Sequence, residues 1–173
     1  MPEQIKLIEP AEDFKEEYLA IVEEFQKAGE SLGNAEIARQ DFTAFIRKLY
    51  NQSKGLDLPP GFVPASTFWL IQDNRMILGE SRLRHYLKPP LEEFGGHIGY
   101  FIRPSQRRKG YGTLILTLTL EKARAMGIQR ARVTCDTDNI GSARIIESNG
   151  GILSGHGISL VNGKRTSQYW IEL

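Results

Sequence analysis

The chain has 173 residues, with 22 Lys and Arg against 21 Asp and Glu, and a formal net charge of +1. Its 40% apolar and 25% charged residues exclude a disordered or collagen-like chain, and the near-zero charge gives no general attraction to nucleic acid or an acidic membrane. A single cysteine, Cys135, excludes an internal disulfide framework and a multi-cysteine zinc site. Because no signal-peptide pattern or membrane-length apolar run is present, we expect one cytoplasmic domain over residues 1–173.

The first 65 residues predict a strand, two amphipathic helices and a loop. The strand is expected at residues 5–8 and the loop, rich in Gly and Pro, at 51–65. Each helix is expected to turn one apolar face to a core, because its apolar residues recur with a period near 3.6. In the first helix, which follows Pro10, these are Phe14, Tyr18, Ile21, Val22 and Phe25. In the second they are Ala38, Phe42, Phe45, Ile46 and Leu49.

The middle of the chain predicts three strands. Residues 67–72 and 76–85 are expected to form a hairpin whose tight turn is Asp73-Asn74-Arg75. A loop with one Pro-Pro pair and one Gly-Gly pair is expected at 87–96. The third strand, at 97–103, ends before Pro104, which cannot donate a main-chain hydrogen bond.

The remaining residues predict alternating helices and strands. A polar loop at 105–109 leads into a helix at 113–126, with Gly127 as its C-terminal cap. A strand at 130–135 and a short helix at 139–149 follow. The chain is expected to end in a hairpin with a two-residue turn at Asn162-Gly163. The whole is a mixed α/β pattern.

The segment at 107–113 has the composition of a phosphate-binding loop. It reads RRKGYGT and lies between a predicted strand and a predicted helix. The first N–H groups of a helix have no partner inside it, and they carry a partial positive charge that suits an anion. Gly110 and Gly112 are expected to let a ligand approach the backbone, since glycine has no Cβ, and three basic side chains add charge for phosphates. We interpret the segment as a pyrophosphate cradle.

Two other interpretations of this loop stay open. It could be an ordinary glycine turn with a solvated charged face. The four basic residues between Arg103 and Lys109 could instead contact nucleic acid, but no aromatic residue is interleaved with them, so we favour the phosphates of a cofactor. The loop is neither a Walker loop nor the G-x-G-x-x-G dinucleotide pattern.

Two motifs in this part of the chain resemble those of the GCN5-related N-acetyltransferases, the GNAT family, which use acetyl-CoA. The family pattern Arg/Gln-x-x-Gly-x-Gly/Ala opens a helix, and Asn-x-x-Ser/Ala opens the helix of the next strand–helix unit. The matching residues are Arg107, Gly110, Gly112, Asn139 and Ser142. The resemblance covers residues 96–151, and the segments Gly-His-Ile-Gly-Tyr and Asn-Gly-Gly within it are similar to a bacterial branch of the family.

The resemblance implies an α/β fold with a central, mostly antiparallel, twisted sheet flanked by helices. It implies acetyl-CoA as co-substrate. Backbone N–H groups from Arg108 to Thr113 would hold the pyrophosphate, and the strand ending at Ile102 and Arg103 would pair its backbone with the pantetheine arm. The residues assigned to the cofactor are Ile102, Arg103, Arg107, Arg108, Lys109, Gly110, Tyr111, Gly112, Thr113, Asn139 and Ser142. Asn139 would bond a pantetheine amide with Ser142 close by, although Asn139 could also be a plain helix cap.

The acid and base of the reaction are not carried over by the resemblance. Many family members use a tyrosine on the second motif's helix to protonate the leaving thiolate, and Ile146 stands at that position. The helix dipole, water, Tyr100 or Tyr111 could serve instead. For the base, Glu80 and His97 are candidates. Each has a noncatalytic alternative, an ion pair with neighbouring arginines for Glu80 and a hydrogen-bonded strand histidine for His97.

Other chemistries are disfavoured by spacing. The three histidines are far apart and lack metal-ligand spacing, no Gly-x-Ser-x-Gly elbow is present, and Cys135 in an apolar strand is expected to be a buried small hydrophobe. We therefore expect transfer of an acetyl or another short acyl group from CoA to a primary amine by direct attack in a ternary complex. The N-terminal helices and the loop around 59–64 would shape the acceptor pocket.

A noncatalytic acyl-CoA-binding module, acting as a sensor or structural partner, is the rival interpretation. It is kept open by the missing tyrosine and the ambiguous base. We expect no nucleic-acid or membrane partner, and the C-terminal hairpin could support a homodimer.

Overall fold

The computed structural model describes residues 2–159 and 161–173, except for the side chain of Glu93. The strands are β1 (Ile5–Ile8), β2 (Ala65–Gln72), β3 (Met76–Arg84), β4 (Ile98–Ile102), β5 (Arg130–Asp136), β6 (Ile152–Ile158) and β7 (Arg165–Glu172). The helices are α1 (Lys15–Lys27), α2 (Ala35–Gln40), α3 (Phe42–Ser53), α4 (Pro89–Phe94), α5 (Tyr111–Ala125) and α6 (Ile140–Ser148). Within the described residues the strands form one sheet in the order β1-β2-β3-β4-β5-β7-β6, in which only β4 and β5 pair in parallel. The expected α/β fold with a mostly antiparallel sheet is confirmed.

Helices α1 to α3 cover one face of the β1–β3 half of the sheet. Their predicted apolar stripes are buried there against Trp69, Ile71 and Ile77. The second stripe, predicted as one helix, is two helices that divide at Asp41. The backbone of Asp41 is extended, with φ −152° and ψ 93°, and its side chain accepts a hydrogen bond from the Ala44 N–H. Asp41 thus caps α3 and ends α2, because an N-cap residue leaves the helical conformation.

Helices α5 and α6 pack on the opposite face. Leu116, Leu120 and Ile146 belong to the same buried cluster as the inward side chains of β5 and β7. Helix α5 begins at Tyr111, two residues before the predicted start, and Gly127 beyond its end has φ +85°. The predicted cap at Gly127 is confirmed, since that left-handed conformation favours glycine.

Two predicted turns have different outcomes. Asp73 and Asn74 both have positive φ, 51° and 55°, so the β2–β3 hairpin turns tightly as predicted. In the last hairpin Ile158 lies opposite Arg165, so the connection spans residues 159–164 and is longer than the predicted two-residue turn. Residue 160 within it lies outside the described residues.

The predicted loop at 87–96 contains the short helix α4, which starts with two prolines whose fixed φ suits a first helical turn.

Strands β4 and β5 separate soon after they meet. Their ladder contains one recorded pair, Ile98 with Val133, and it is extended by a hydrogen bond of 2.7 Å from the His97 N–H to the Arg132 carbonyl. On its other side β4 pairs with β3 over its whole length. The separation leaves the β5-facing edge of β4 open from Tyr100 onwards, and this opening positions the candidate site.

Candidate active site

The turn between β4 and α5 presents main-chain donors. Arg108 and Gly110 both have left-handed backbones, with φ +62° and +85°, and Gly110 is the N-cap of α5. Left-handed residues at alternate positions produce concave arrays of N–H groups of the kind that bind anions. In the described part of the chain, the N–H groups of residues 108–113 have no hydrogen-bond acceptor. The turn thus combines free donors with the positive end of a helix.

The basic side chains around this turn are less available than the sequence suggests. Arg107 forms a bidentate ion pair with Glu30, at 2.7 and 2.8 Å, and Lys109 donates to the Gln106 amide oxygen at 2.9 Å. Arg108 is exposed. The guanidinium of Arg107, which the sequence predicts to add charge for phosphates, is paired with Glu30, and this pairing raises its pKa. A contact between Arg107 and a phosphate stays a prediction.

Arg103 has a structural environment. It is buried, and its guanidinium forms ion pairs with Glu24 at 2.6 Å and Glu17 at 2.9 Å, both on α1. Its N–H donates to the Leu78 carbonyl on β3. The backbone of Arg103 therefore faces β3, and the expectation that it pairs with the pantetheine arm is wrong.

Gly112 lies against helix α6. A Cβ at this position would lie 2.5 Å from Ile145 Cδ1 on α6. The glycine thus allows α5 and α6 to pack closely, a reason that the sequence does not reveal, and the approach of a ligand to its N–H stays a prediction. At Gly110 a Cβ would meet no atom within 4 Å, and the positive φ explains the residue.

The open edge of β4 consists of the main chain of Tyr100 and Ile102. Residues 97, 99, 101 and 103 form the hydrogen-bonded pairs with β3, as the bonds at both ends of that ladder require. The N–H and C=O groups of Tyr100 and Ile102 therefore point toward the space between β4 and β5. The Ile102 carbonyl accepts from Arg107 Nε at 3.1 Å, which leaves its N–H for a ligand strand.

The first turn of α6 faces the same opening. The side-chain oxygen of Asn139 accepts from the Ser142 N–H at 3.0 Å and so caps the helix, as the alternative interpretation of Asn139 as a helix cap predicts. Its amide Nδ2 has no partner in the described chain and can still donate to a ligand. The Ser142 hydroxyl lies 2.9 Å from the Tyr100 hydroxyl, and this pair bridges β4 to α6 across the opening.

The Tyr100 phenol lies at the opening, where its hydroxyl contacts Ser142. Burial raises its pKa to about 12, although the Ser142 hydrogen bond lowers it, so the phenol stays protonated at neutral pH. Ile146 is fully buried in the core and offers no proton. Tyr111, the other candidate acid, packs against Leu70, Leu78 and Ile115 under the first strands.

The predicted cradle residue Thr113 uses its carbonyl to accept from Asn149 and Thr117.

Glu80 lies on the face of β3 that is turned toward α1. Its Oε2 accepts a hydrogen bond of 2.8 Å from Trp69 Nε1, on the neighbouring strand. Burial raises the pKa of Glu80 to about 7, against the Trp69 hydrogen bond and the charge of Arg82, which both lower it. Within the described residues no ion pair includes Glu80. A carboxyl group that exchanges its proton near neutral pH suits general-base chemistry.

His97 occupies a different kind of position. Its Nδ1 accepts from the Arg132 N–H at 2.9 Å, which ties β4 to β5 just before they separate. Burial and the charge of Arg84 lower its pKa, so the imidazole is neutral with its proton on Nε2. Because the remaining lone pair is already used, the geometry favours the structural interpretation of His97 over a role as base.

A model of the acetyltransferase (GNAT) domain matches residues 6–152 of the chain. The chain belongs to the GNAT acetyltransferase family. No curated protein sequence matches it. The resemblance stated from the two motifs is thereby confirmed for most of the chain, including the N-terminal helices that the motifs did not cover.

Solved GNAT structures share the fold at low sequence identity. The microcin self-immunity acetyltransferase MccE, in complex with acetyl-CoA and AMP, has a TM-score of 0.72 at 18% identity, over 98% of this chain and 93% of that one. RimL, a ribosomal alpha-N-protein acetyltransferase in complex with coenzyme A, has 0.71 at 17%, over 98% and 94%. RimJ of Mycobacterium smegmatis, in complex with a CoA disulfide, has 0.73 at 14%, over 97% and 81%. At these identities the likeness establishes the fold.

Two further observations concern what this GNAT domain lacks. Among the described residues, no group of three or more His, Cys, Asp and Glu side chains is placed to hold a metal ion. No helix in the described part of the chain is long and apolar enough to span a bilayer.

Burial raises the pKa of Cys135, so its thiol is protonated at neutral pH.

Sequence reasoning missed two features of the site. The Trp69–Glu80 hydrogen bond depends on the register of β2 and β3, which shifts between Leu70 and Ile71, and alternation alone does not reveal such a shift. The Tyr100–Ser142 contact joins residues 42 positions apart. It depends on how β4 and α6 are placed in space, for which the sequence spacing carries no signal.

Proposed function

We propose that the chain transfers an acetyl group from acetyl-CoA to a primary amine. One observation carries the proposal. The open edge of β4 is followed along the chain by the free N–H groups of residues 108–113, so the two kinds of main-chain donor lie one after the other. A diphosphate suits those N–H groups, and an extended chain that carries amides suits an unpaired strand edge. Coenzyme A has both parts joined in that order. The complexes of MccE and RimL with acetyl-CoA and coenzyme A support the choice.

The pantetheine arm would lie along the edge formed by Tyr100 and Ile102. The Ile102 N–H and the Asn139 amide nitrogen are available donors for its carbonyl groups. Such an arrangement directs the thioester toward the middle of β4, close to the Tyr100 hydroxyl. The side chains of this chain would bind and orient the thioester there, and acetyl-CoA would supply the activated acetyl group.

The acid and base on the two faces of the sheet can complete the transfer. The amine nitrogen forms a bond to the thioester carbonyl carbon, and the carbon–sulfur bond breaks. We assign Glu80 as the base that accepts the amine proton, directly or through water, because its pKa is about 7. We assign Tyr100 as the acid that gives its phenolic proton to the departing sulfur, whose thiolate is the conjugate base of a weak acid. The products are an amide and a thiol.

Direct attack is favoured over an acyl-enzyme. The thiolate, and not the thiol, is the nucleophilic form of cysteine, and burial raises the pKa of Cys135. A Cys135→Ser variant is therefore expected to keep its turnover.

The rival proposal, a noncatalytic acyl-CoA-binding module, predicts binding without chemistry. We propose to measure thiol release from acetyl-CoA across a panel of primary amines. Turnover with any amine removes the rival, whereas binding of acetyl-CoA without release of thiol across the whole panel supports it. Calorimetry alone does not separate the two, since both bind the coenzyme.

The role of the cradle is tested by a pair of matched variants. Gly110→Val and Gly127→Val both force a β-branched residue to φ +85°, at the two ends of α5 and with no atom within 4 Å of the new Cβ. Such strain costs about 1–3 kcal/mol at either site. Gly110→Val should lower affinity for CoA by at least roughly tenfold, and Gly127→Val should leave it unchanged. Equal affinities would contradict the cradle.

The homodimer and the cytoplasmic location stay predictions. Strand β6 is the last strand of the sheet, and its side chains Ile152, Leu153 and Ile158 are exposed. We propose that a homodimer, if formed, uses this strand. Sedimentation equilibrium of the wild type and of Ile158→Lys tests it, because a charge at the contact should shift the mass toward the monomer.

A further inference from the structure

Two arginines beside Glu80 form no ion pair within the described residues. Arg82 and Arg84 follow Glu80 at alternate positions of β3, so the three side chains lie on the same face of the sheet. Both arginines are partly buried, and within the described chain neither forms an ion pair. Arg84 donates to the Gly96 carbonyl at 2.7 Å. Arg82 forms no side-chain hydrogen bond to the described chain, and its Nε is fully buried.

The environment of this pair is unfavourable for cations. Burial lowers the pKa of both Arg82 and Arg84, and for Arg84 the charge of Arg82 lowers it further. Glu80 is the carboxyl group whose charge acts on Arg82, and it is itself about half protonated at pH 7. Partly buried like charges that form no ion pair cost free energy that a bound anion would return.

The space next to Arg82 is open. Gly99 is the neighbour of Arg82 on β4, it is exposed, and a Cβ there would meet no atom within 4 Å. The position precedes Tyr100, whose main chain forms the open edge. Arg132 of β5 donates to the Gln168 side-chain oxygen, and the negative charge of Glu92 acts on it. Arg82 therefore lies beside an open part of the sheet face, and its nearest influence from a carboxyl group is that of Glu80.

We propose that the acceptor is a small primary amine that carries a carboxylate or phosphoryl group, and that Arg82, with Arg84 beside it, binds this oxyanion. The inference rests on the acetyl transfer proposed above and names the class of acceptor for that site. Alternate residues of a strand are about 6.6 Å apart, so Glu80 can reach the amine while Arg82 holds an acid group a few bonds away. Guanidinium groups suit both oxyanions, because their paired N–H donors match two oxygens.

Thiol release with matched acceptors tests the proposal. One pair of amines differs only by a carboxylate in place of a carboxamide, and a second pair differs only by a phosphonate in place of a hydroxyl. We expect the acid of at least one pair to have a kcat/KM roughly tenfold or more above its neutral partner, as expected for a charge-assisted bond. The pair that shows the effect tells a carboxylate from a phosphoryl acceptor.

Substitutions assign the preference to the arginine. Arg82→Gln should reduce the acid-to-neutral ratio of kcat/KM to near one, chiefly through KM, and Arg82→Lys should restore part of it. Arg75→Gln, in the exposed β2–β3 turn, removes the same charge and should leave the ratio unchanged. Equal kcat/KM within both pairs, or a preference for uncharged peptide N-termini, overturns the proposal while acetyl transfer stands.

A binding measurement separates this proposal from acetyl transfer itself. If no amine is acetylated, the proposed function fails, and inorganic phosphate alone still tests the arginine pair. Phosphate should raise the melting temperature of the wild type and of Arg75→Gln above that in chloride of equal ionic strength. Arg82→Gln should show a distinctly smaller rise, because only binding at the N–H groups of residues 108–113 would remain. An equal rise in all three proteins shows binding at those N–H groups or an adventitious ion only, and it overturns the proposal.

Discussion

At pH 7 about half of the Glu80 carboxyl groups carry a proton, since burial raises the pKa to about 7. In the unfolded chain the pKa would lie near 4.5, so the folded state binds more protons between these two values. The contribution of Glu80 to stability is therefore full below pH 4.5 and is lost as the pH rises through 7. The ionised form, which the proposed base requires, is the form that weakens the fold.

Glu80→Gln separates these two effects. It should lower kcat/KM by about 10²- to 10⁴-fold, since a general base is lost, and leave affinity for CoA unchanged. In the wild type, kcat/KM should rise with pH to a plateau above about 7, the pKa of the base. Urea denaturation of the variant should show a stability advantage over wild type that grows from pH 5 to pH 8. Glu121→Gln, an exposed carboxylate on α5, is the control and should change neither quantity.

The proposed role of Tyr100, protonation of the leaving sulfur, can be tested by removing its hydroxyl. Tyr100→Phe removes the hydroxyl that contacts Ser142 and should lower kcat by about 10- to 100-fold, with a smaller effect on KM, because the acid acts only as sulfur leaves. Tyr111→Phe, which alters a phenol on the N-terminal turn of α5, should keep wild-type kcat. The assignment of Tyr100 as the acid fails if the two variants have the same kcat, or if Tyr100→Phe changes KM and leaves kcat unaltered.

At the scale of elements, the contact between α5 and α6 depends on one missing methyl group. A Cβ on Gly112 would stand 2.5 Å from Ile145 Cδ1. Gly112→Ala should therefore destabilise the protein by about 1–3 kcal/mol through overpacking, even though alanine is the better helix former. In an Ile145→Val background, which removes that one carbon, the same substitution should be neutral or stabilising. Chemical denaturation of the four proteins measures the coupling.

A second glycine provides the comparison. Gly141 lies in the first turn of α6, where a Cβ would meet only Asn139 Oδ1 at 3.7 Å. Gly141→Ala should be neutral or stabilising in both backgrounds. If Gly112→Ala behaves in the same way, the close approach of the two helices is not what requires glycine at 112.

The elements also show where sequence patterns succeed. Periodicity located the apolar faces of α1 and α3, and the positive φ of Asp73 and Asn74 agrees with a turn predicted from residue type. The division at Asp41 was missed because the apolar stripe continues through it, while the break depends on a cap formed by its own side chain. The separation of β4 from β5 was likewise not predictable, since it depends on which backbone groups find partners and not on side-chain type.

At the scale of the whole molecule, Arg103 joins the end of β4 to helix α1, 79 residues earlier in the chain. Although partial burial alone would raise the pKa of Glu24, its hydrogen bonds with Arg103 and Ser105 hold that pKa below the usual range. This stability is therefore present above the unfolded pKa of 4.5 and is lost as the pH falls through the lower folded value.

Arg103→Gln should cost about 2 kcal/mol at pH 7, between the values for an exposed and a buried ion pair. Its unfolding free energy should also fall less steeply than that of the wild type between pH 5 and pH 3. Arg130→Gln breaks the exposed pair with Glu172 and should change both quantities little. Similar losses in the two variants would contradict a special role for Arg103.

The same residue marks the limit of motif-based inference. Arg103 and Arg107 lie next to the cradle in sequence, yet their guanidinium groups are paired with carboxylates of the N-terminal region, Glu17, Glu24 and Glu30. The motif identified the main-chain donors and the family, which depend on local geometry. It did not reveal that these two guanidinium groups have partners elsewhere in the chain, or that Arg82 forms no ion pair within the described residues, because both depend on the assembled sheet.

Where the sheet opens between β4 and β5, neighbouring peptide groups of β4 differ in whether they are hydrogen-bonded within the sheet. The Phe101 amide is locked into the ladder with β3, while those of Tyr100 and Ile102 face the opening. In deuterated water the latter two should exchange orders of magnitude faster than the amide between them. Coenzyme A should slow both, whereas an acceptor alone should not. Exchange rates at these positions would thus report coenzyme occupancy while the acceptor is still unidentified.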